Sequence, residues 1–158
     1  MKHLPKHLRP HWRYLALAIE SWPDAAFGRR DFQRECWYAA QNLLGEPGAA
    51  NADLELIEFS TSDGAGWAIV RVRRDEVERA RAAIACIDTV DGSPVGVRIL
   101  GVSGTIRACE ERYKSRALIK GDKRYVAFAD TERPAFVRDR RVDVRTEDGF
   151  VGATPLDI

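Results

Sequence analysis

Apolar positions along this chain follow two periods, and the switches between them mark its elements. From Trp12 to Glu20 the period is two: Leu15, Leu17 and Ile19 point one way, and Trp12, Tyr14, Ala16 and Ala18 the other. Trp22-Pro23-Asp24 breaks that strand. From Asp31 to Leu44 the period lengthens, placing Phe32, Cys36, Ala39, Ala40 and Leu43 on one helical face, with Gly45 and Pro47 as stop signals. Trp37 widens that apolar surface beyond one stripe, as core or as a partner interface. Two strands follow, about Asp53–Ser60 and Trp67–Arg73, joined through the hairpin signal Ser62-Asp63-Gly64. A second helix opens at Asp75 with Glu78 three residues on, close to a capping-box pattern, and lines Val77, Ala80, Ile84 and Ile87 on its inner face. Asp91-Gly92-Ser93-Pro94 then turns the chain into a fourth strand with Val95, Val97 and Ile99 on one face and Leu100 and Val102 on the other. A third helix is expected over Thr105–Tyr113, with Ile106, Cys109 and Tyr113 on one side.

This order, strand-helix-strand-strand-helix-strand and then a helix, predicts an α+β fold: a ferredoxin-like, RRM-like βαββαβ core with a four-stranded antiparallel sheet and two helices on one face. The third helix is placed to cover the second face. A covered sheet cannot stack bases on its central strands as an open RNA-recognition sheet does, so nucleic-acid contact would come from edges, loops and the terminal arm. Residues 1–11 are expected to form a basic arm, held extended because Pro5 and Pro10 forbid a regular helix; residues 12–115 form the core. Residues 116–158 are expected to add a small β extension, with short strands at Tyr125–Phe128 and Val142–Val144 and a turn at Asp148-Gly149, packing on the core or on a partner.

Val95–Tyr113 is the stretch that organises the rest. Its strand runs through Ser103-Gly104 into a helix, which aims free backbone N–H groups and the positive dipole end at one point able to hold a phosphate. The competing reading is that Gly101 and Gly104 only permit a tight corner.

Composition narrows the classes. The 158 residues, 45% hydrophobic and 31% charged, suit one soluble domain with a real core. No apolar run is long enough to span a bilayer, and the basic N-terminus lacks the apolar core of a signal peptide, so an intracellular, cytoplasmic protein with no membrane partner is expected. Three dispersed cysteines without a C-x-x-C pair argue against a disulfide framework or a cysteine zinc site and are expected to be buried free thiols. The net charge of +1 hides clustering: Lys2, Lys6, Arg9 and Arg13 meet no acid before Glu20, and Arg71, Arg73 and Arg74 form a second group. Most of the 25 basic residues are arginine, which suits bidentate phosphate contact and stacking on bases. On the third strand, Trp67, Arg71 and Arg73 share a face, either as an RNA-contacting strip or as ion-pair partners for Glu55. His3, His7 and His11 are all in the arm, where the prolines spoil a ligand geometry, so no metal site is expected. No G-x-x-x-x-G-K, H-E-x-x-H or G-x-S-x-G pattern occurs, and Glu110 and Glu111 sit as ordinary helix-surface acids, so no protein active site is predicted.

The stretch VGVRILGVSGTIRACEERY closely resembles the end of the core domain in the small protein subunit of ribonuclease P of archaea and eukaryotes (archaeal protein component 2). Trp12-Arg13-Tyr14-Leu15 and Ala68-Ile69-Val70-Arg71-Val72 fall where that family has its first and third strands, and the likeness covers roughly Arg9 to Ser115. Its most specific part is Gly101-Val102-Ser103-Gly104-Thr105-Ile106-Arg107. The resemblance implies a non-catalytic subunit of an RNA-based endoribonuclease. In such an enzyme the RNA, with Mg2+, removes the 5′ leader of precursor tRNA, and this chain binds no cofactor of its own. It also implies a larger TIM-barrel-like protein partner and paired copies of the two in a heterotetramer. Arg9, Arg13, Arg71, Arg73, Arg98, Arg107 and Lys114 are the candidate RNA contacts, with Ser103 and Gly104 shaping the phosphate-facing turn. Two alternatives remain open: a general RNA-binding ferredoxin-like module, and an anion-binding regulatory domain that uses Gly101–Thr105.

Overall fold

A computed structural model describes residues 3–158. The elements are β1 (Trp12–Ser21), α1 (Arg29–Ala52), β2 (Glu55–Ser62), β3 (Ala65–Arg73), α2 (Val77–Ala85), β4 (Thr89–Val90), β5 (Ser93–Ser103) and α3 (Ile106–Ala117), then β6 (Asp122–Phe128), β7 (Thr131–Arg138), β8 (Arg141–Thr146) and β9 (Gly149–Ala153). This is a mixed α/β structure with three helices and a wholly antiparallel main sheet in the order β2-β3-β1-β5-β4. The expected four strands are all present; the fifth, β4, is two residues long, too short to show a period in sequence. It pairs back onto β5 through Asp91 and Gly92, both with positive φ.

Alternation along β1 divides the protein. Leu15, Leu17 and Ile19 join Ala68, Val70 and Val72 of β3 and the inner faces of α1 and α2 in the main core. Ala16 and Ala18 join Trp67 and Ile69, and Cys109, Ala117, Ile106 and Tyr113 of α3 pack on that second face. Leu100 lies with this second cluster, but Val102 lies with the first. The expectation that the two share a face is therefore corrected: the β1–β5 register slips at Ala16/Leu17, and the extra β5 residue inverts the alternation.

Other expectations are also corrected. Gly45 does not end α1 but kinks it (φ 72°, ψ 170°), and the helix resumes because Pro47 sits in the first turn of the new segment, where a missing N–H costs nothing. Ala52 is thereby buried, while Leu43 faces solvent and Leu44 packs inward instead. No capping box forms at Asp75 and Glu78; Arg74–Glu76 is a single 3-10 turn with no side-chain cap on α2. The arm is not fully extended, because Lys6–Leu8 forms a 3-10 turn between the two prolines. Of the three free thiols, Cys36 and Cys109 are buried but Cys86, just past α2, is exposed. Lys2, counted in the basic arm, lies outside the described residues.

The second sheet is a four-stranded meander, β6-β7-β8-β9, with its own core of Val126, Ala135, Val137, Val142 and Val144. Its other face docks on the end of β1. Trp22 meets Phe150 (ring centroids 5.1 Å apart) and Phe136 (6.2 Å). Arg138, 1% exposed, donates to the Ser21 carbonyl (2.5 Å) and the Gly64 carbonyl (3.3 Å) and is ion-paired with Asp143. The extension thus packs on the core. No helix among the described residues is long and apolar enough to cross a membrane.

Candidate nucleic-acid interface

Strand register builds the site. Arg71 of β3, Tyr14 of β1 and Ser103 of β5 stand opposite one another across three adjacent strands, with Trp12 and Arg73 forming the next pair outward. All but Ser103 are placed by simple alternation on the face that α3 partly covers, just beyond its first turn. The guanidinium of Arg71 lies 4.0 Å from the centroid of the Trp12 ring and that of Arg73 lies 5.5 Å from it. Arg71 is also ion-paired with Glu55, and Arg73 with Asp53 at 3.6 Å. The ion-pair reading holds for Arg71 with Glu55, whereas Arg73 pairs with Asp53 at the end of α1. Trp67, expected beside them on an exposed strip, is buried, and the ring next to both arginines is Trp12.

The strand-to-helix turn completes this end. Thr105 caps α3, its hydroxyl accepting from Ala108 N at 3.1 Å. The two glycines before it differ in kind. A Cβ on Gly101 would fall 2.3 Å from the Tyr113 ring, so that glycine is explained by the close packing of α3. A Cβ on Gly104 would meet nothing within 4 Å, and Gly104 is exposed, so no packing within the chain explains its lack of a side chain. Ser103 is buried against Cys109, whose thiol is pushed up by burial and which donates to the Tyr14 carbonyl at 3.3 Å. Ser103 thus shapes the turn from within.

The remaining candidates are spread out. Arg107 sits on the first turn of α3, exposed and hydrogen-bonded to Glu111 at 2.8 Å. Lys114, two turns on, flanks a shallow depression with Arg29, Glu58 and Trp67. There Trp67 Nε1 donates to Glu58 at 2.9 Å. Burial pushes the Glu58 carboxyl up, but hydrogen bonds from Glu110 and Trp67 and the charge of Lys114 outweigh it and leave it below the usual range. Glu110 is held above its usual range by its hydrogen bond to Glu58 and by that carboxylate's charge. Arg98 lies on the same sheet face but five residues before Ser103, roughly 17 Å away along the strand, beside Glu20 at 3.8 Å. Arg13 points to the opposite face, alongside Val72, and its guanidinium returns to the Trp12 carbonyl at 2.9 Å. Arg9 donates to the Leu4 carbonyl at 2.8 Å within the terminal turn. Register aligns Arg71, Arg73 and Ser103 at one end of the sheet, and Gly104 and Arg107 follow Ser103 in the turn and the first turn of α3; Arg9, Arg13, Arg98 and Lys114 lie outside that row.

Sequence reasoning missed Arg29, which donates to the Leu56 carbonyl (2.5 Å) and, with Gln33 Oε1 accepting from Leu56 N (2.7 Å), blocks part of the open β2 edge. No period marks such a contact, since it depends on how α1 lies along the sheet. Among the described residues no group of three His, Cys, Asp or Glu is placed to hold a metal ion. The chemistry this surface offers is recognition of a polyanion.

Comparison with known proteins gives the decisive observation: residues 13–114 match the family model described as the Rpp14/Pop5 family. The chain belongs to the Rpp14/Pop5 family. A relative named Ribonuclease P protein component 2, from Halorubrum lacusprofundi, is 59% identical over 157 residues, covering 99% of both chains. One of the same name from Thermococcus kodakarensis is 35% identical over 112 residues, covering 90% of that protein but 71% of this one. A chain in a cryo-EM structure of yeast Ribonuclease MRP superposes on 61% of this chain and 76% of its own, at 22% identity and a TM-score of 0.47. The matched Rpp14/Pop5 segment begins inside β1 and ends within α3, so it includes the whole Arg71–Tyr14–Ser103 row and excludes the second sheet.

Proposed function

We propose that this chain is a non-catalytic protein subunit of ribonuclease P, which supports the enzyme's RNA in removing the 5′ leader of precursor tRNA. The observation that carries this reading is the family membership together with near full-length identity to proteins named for that enzyme. The Arg71–Trp12–Arg73 strip beside the α3 turn supports an RNA partner. Stacking on Trp12 and pairing with Glu55 hold the Arg71 guanidinium in one orientation, suited to exchanging that carboxylate for a phosphate, and Gly104 leaves the backbone N–H groups of the turn approachable. Catalysis and its Mg2+ would belong to the RNA; the acids beside the strip and on α3, Asp53, Glu55, Glu110 and Glu111, are engaged with arginines or with Glu58. A larger protein partner of TIM-barrel-like form, paired copies in a heterotetramer and a cytoplasmic location go with this assignment.

We read the core as ferredoxin-like, supported by the order in which β2, β3, β1 and β5 lie and by the two helices on the main core face, with α3 added on the other. The covered second face disfavours a general module that stacks bases across an open sheet. The assignment is tested by reconstituting the ribonuclease P RNA with its candidate protein subunits and scoring leader removal. Omitting this chain is expected to lower the rate; an unchanged rate refutes the role.

A further inference from the structure

A second basic group lies at the opposite end of α3, where the core meets the second sheet. Glu20, near the end of β1, is the carboxylate at its centre. Arg141 of β8 reaches it at 2.5 Å and Arg98 of β5 at 3.8 Å. Arg116, on the last turn of α3, is exposed, has its guanidinium 5.7 Å from the Tyr113 ring, and acts electrostatically on Arg98. The nearby Asp143 is taken by Arg138. Two guanidiniums therefore share one acid and a third, Arg116, acts on Arg98 without pairing to that acid, which leaves an excess of positive charge. Arg98 registers that excess: burial first, then the charges of Arg141 and Arg116, lower its proton affinity despite Glu20. Arg98 and Arg141 nevertheless keep 46% and 40% of their side chains in solvent, while Glu20 keeps 18%, so the cations face outward and the acid lies beneath them.

We propose that Arg98, Arg116 and Arg141 form a composite site for the phosphodiester backbone of RNA, built jointly by the core and the C-terminal sheet. The proposal rests on reading the chain as an RNA-associated subunit and extends the interface along one face. Arg98 alternates onto the same side of the sheet as Arg71 and Arg73, and α3, about 18 Å long, lies between the two groups with Arg107 and Lys114 exposed on it. A continuous polyanion lying along α3 meets both ends; a compact acidic ligand meets only one. The site also gives the second sheet a role beyond packing: Arg141 lies outside the residues matched to the family, so the extension adds a contact that the core alone lacks.

The test measures binding of ribonuclease P RNA and of an unrelated hairpin RNA across a salt series, with the full chain and with Arg116→Gln, Arg141→Gln, their double variant and Arg141→Lys. Each glutamine is expected to reduce the slope of log affinity against log salt by about one, the double variant by about two, and lysine to restore most of the slope. Arg116 makes no contact with Glu20, so its variant separates loss of a phosphate contact from loosening of the second sheet, and thermal unfolding checks that each variant is folded. Unchanged slopes in a wild-type chain that binds RNA overturn the site and leave the ribonuclease P reading standing. Unchanged slopes with weakened capture of a ribonuclease P protein subunit overturn it in favour of a protein contact. Slopes that fall equally on both RNAs, in a chain that gives no gain in leader removal, support the site and refute the ribonuclease P reading. A wild-type chain that binds neither RNA refutes both.

Discussion

Arg71 stacks its guanidinium 4.0 Å from the centroid of the Trp12 ring while one of its nitrogens is paired with Glu55. The ring comes from β1 and the acid from β2, so three strands fix one arginine in place. A cation held in this way loses little rotamer freedom when it meets a phosphate, which lowers the cost of binding.

Replacing Arg71 and Arg73 together with glutamine is expected to reduce the salt slope of RNA binding by about two while leaving the fold intact, because both side chains are partly exposed and their acid partners remain soluble. Arg71→Lys keeps the charge but not the planar stack, and is expected to bind RNA between wild type and the glutamine form. A salt titration of RNA affinity reads both; an unaltered slope in the double variant contradicts the strip.

The glycines of the turn separate packing from binding. Gly101→Ala places a methyl on the Tyr113 ring and is expected to cost about 1–3 kcal/mol, read as a lowered unfolding temperature. Gly104→Ala meets no atom and is expected to leave stability within about 0.5 kcal/mol while weakening RNA binding. Equal losses of stability in the two variants contradict this division.

Arg138 is the pin of the second sheet. Arg138→Ala leaves the Ser21 carbonyl without its partner and Asp143, 38% exposed, unpaired, and is expected to destabilise by about 1–3 kcal/mol. The change should be seen as early proteolysis within residues 116–158 and altered Trp22 fluorescence, since Trp22 packs against Phe136 and Phe150. Fluorescence and protease resistance like those of wild type contradict the docking.

How much of this was legible in sequence follows from the range of each contact. The alternation of β1 and β3 and the face of α3 formed by Ile106, Cys109 and Tyr113 are local patterns, and they are the parts that sequence reading placed correctly. Val102 was misplaced because a bulge depends on pairing with β1, not on β5 itself. Gly45-Glu46-Pro47 reads as a stop signal, yet the fold carries α1 through it because Gly48 and Ala52 bury on the far side. Arg138 and Arg141 lie in a run of alternating charges, and nothing in that run distinguishes the arginine that is buried from the one that meets Glu20. Of the nine candidate residues, those near one strand register came together, whereas Arg13 and Arg98 show that shared charge in sequence says little about shared surface.

The Glu58–Glu110 pair gives a pH signature. Glu58 is held below its usual range, so its contribution to stability is present above the ordinary carboxylate pKa and lost as pH falls through the folded value. Glu58→Gln should therefore lower the unfolding temperature at pH 7 and converge with wild type toward pH 3. Glu110 is held above its range, so the stability it adds in acid is lost as pH rises. Glu110→Gln should raise the unfolding temperature at pH 7 and have little effect in acid. Parallel curves for either variant contradict the pairing.

We propose that the cleavage chemistry resides in RNA and that this chain supplies a surface recognising it. The most direct measurement is leader removal from precursor tRNA, in Mg2+, by the purified nucleic-acid-free chain alone, by the RNA with its other protein subunits, and by the two combined. The account predicts no product from the chain alone and faster cleavage in the combined assembly than without the chain. Leader removal by the chain alone would contradict it.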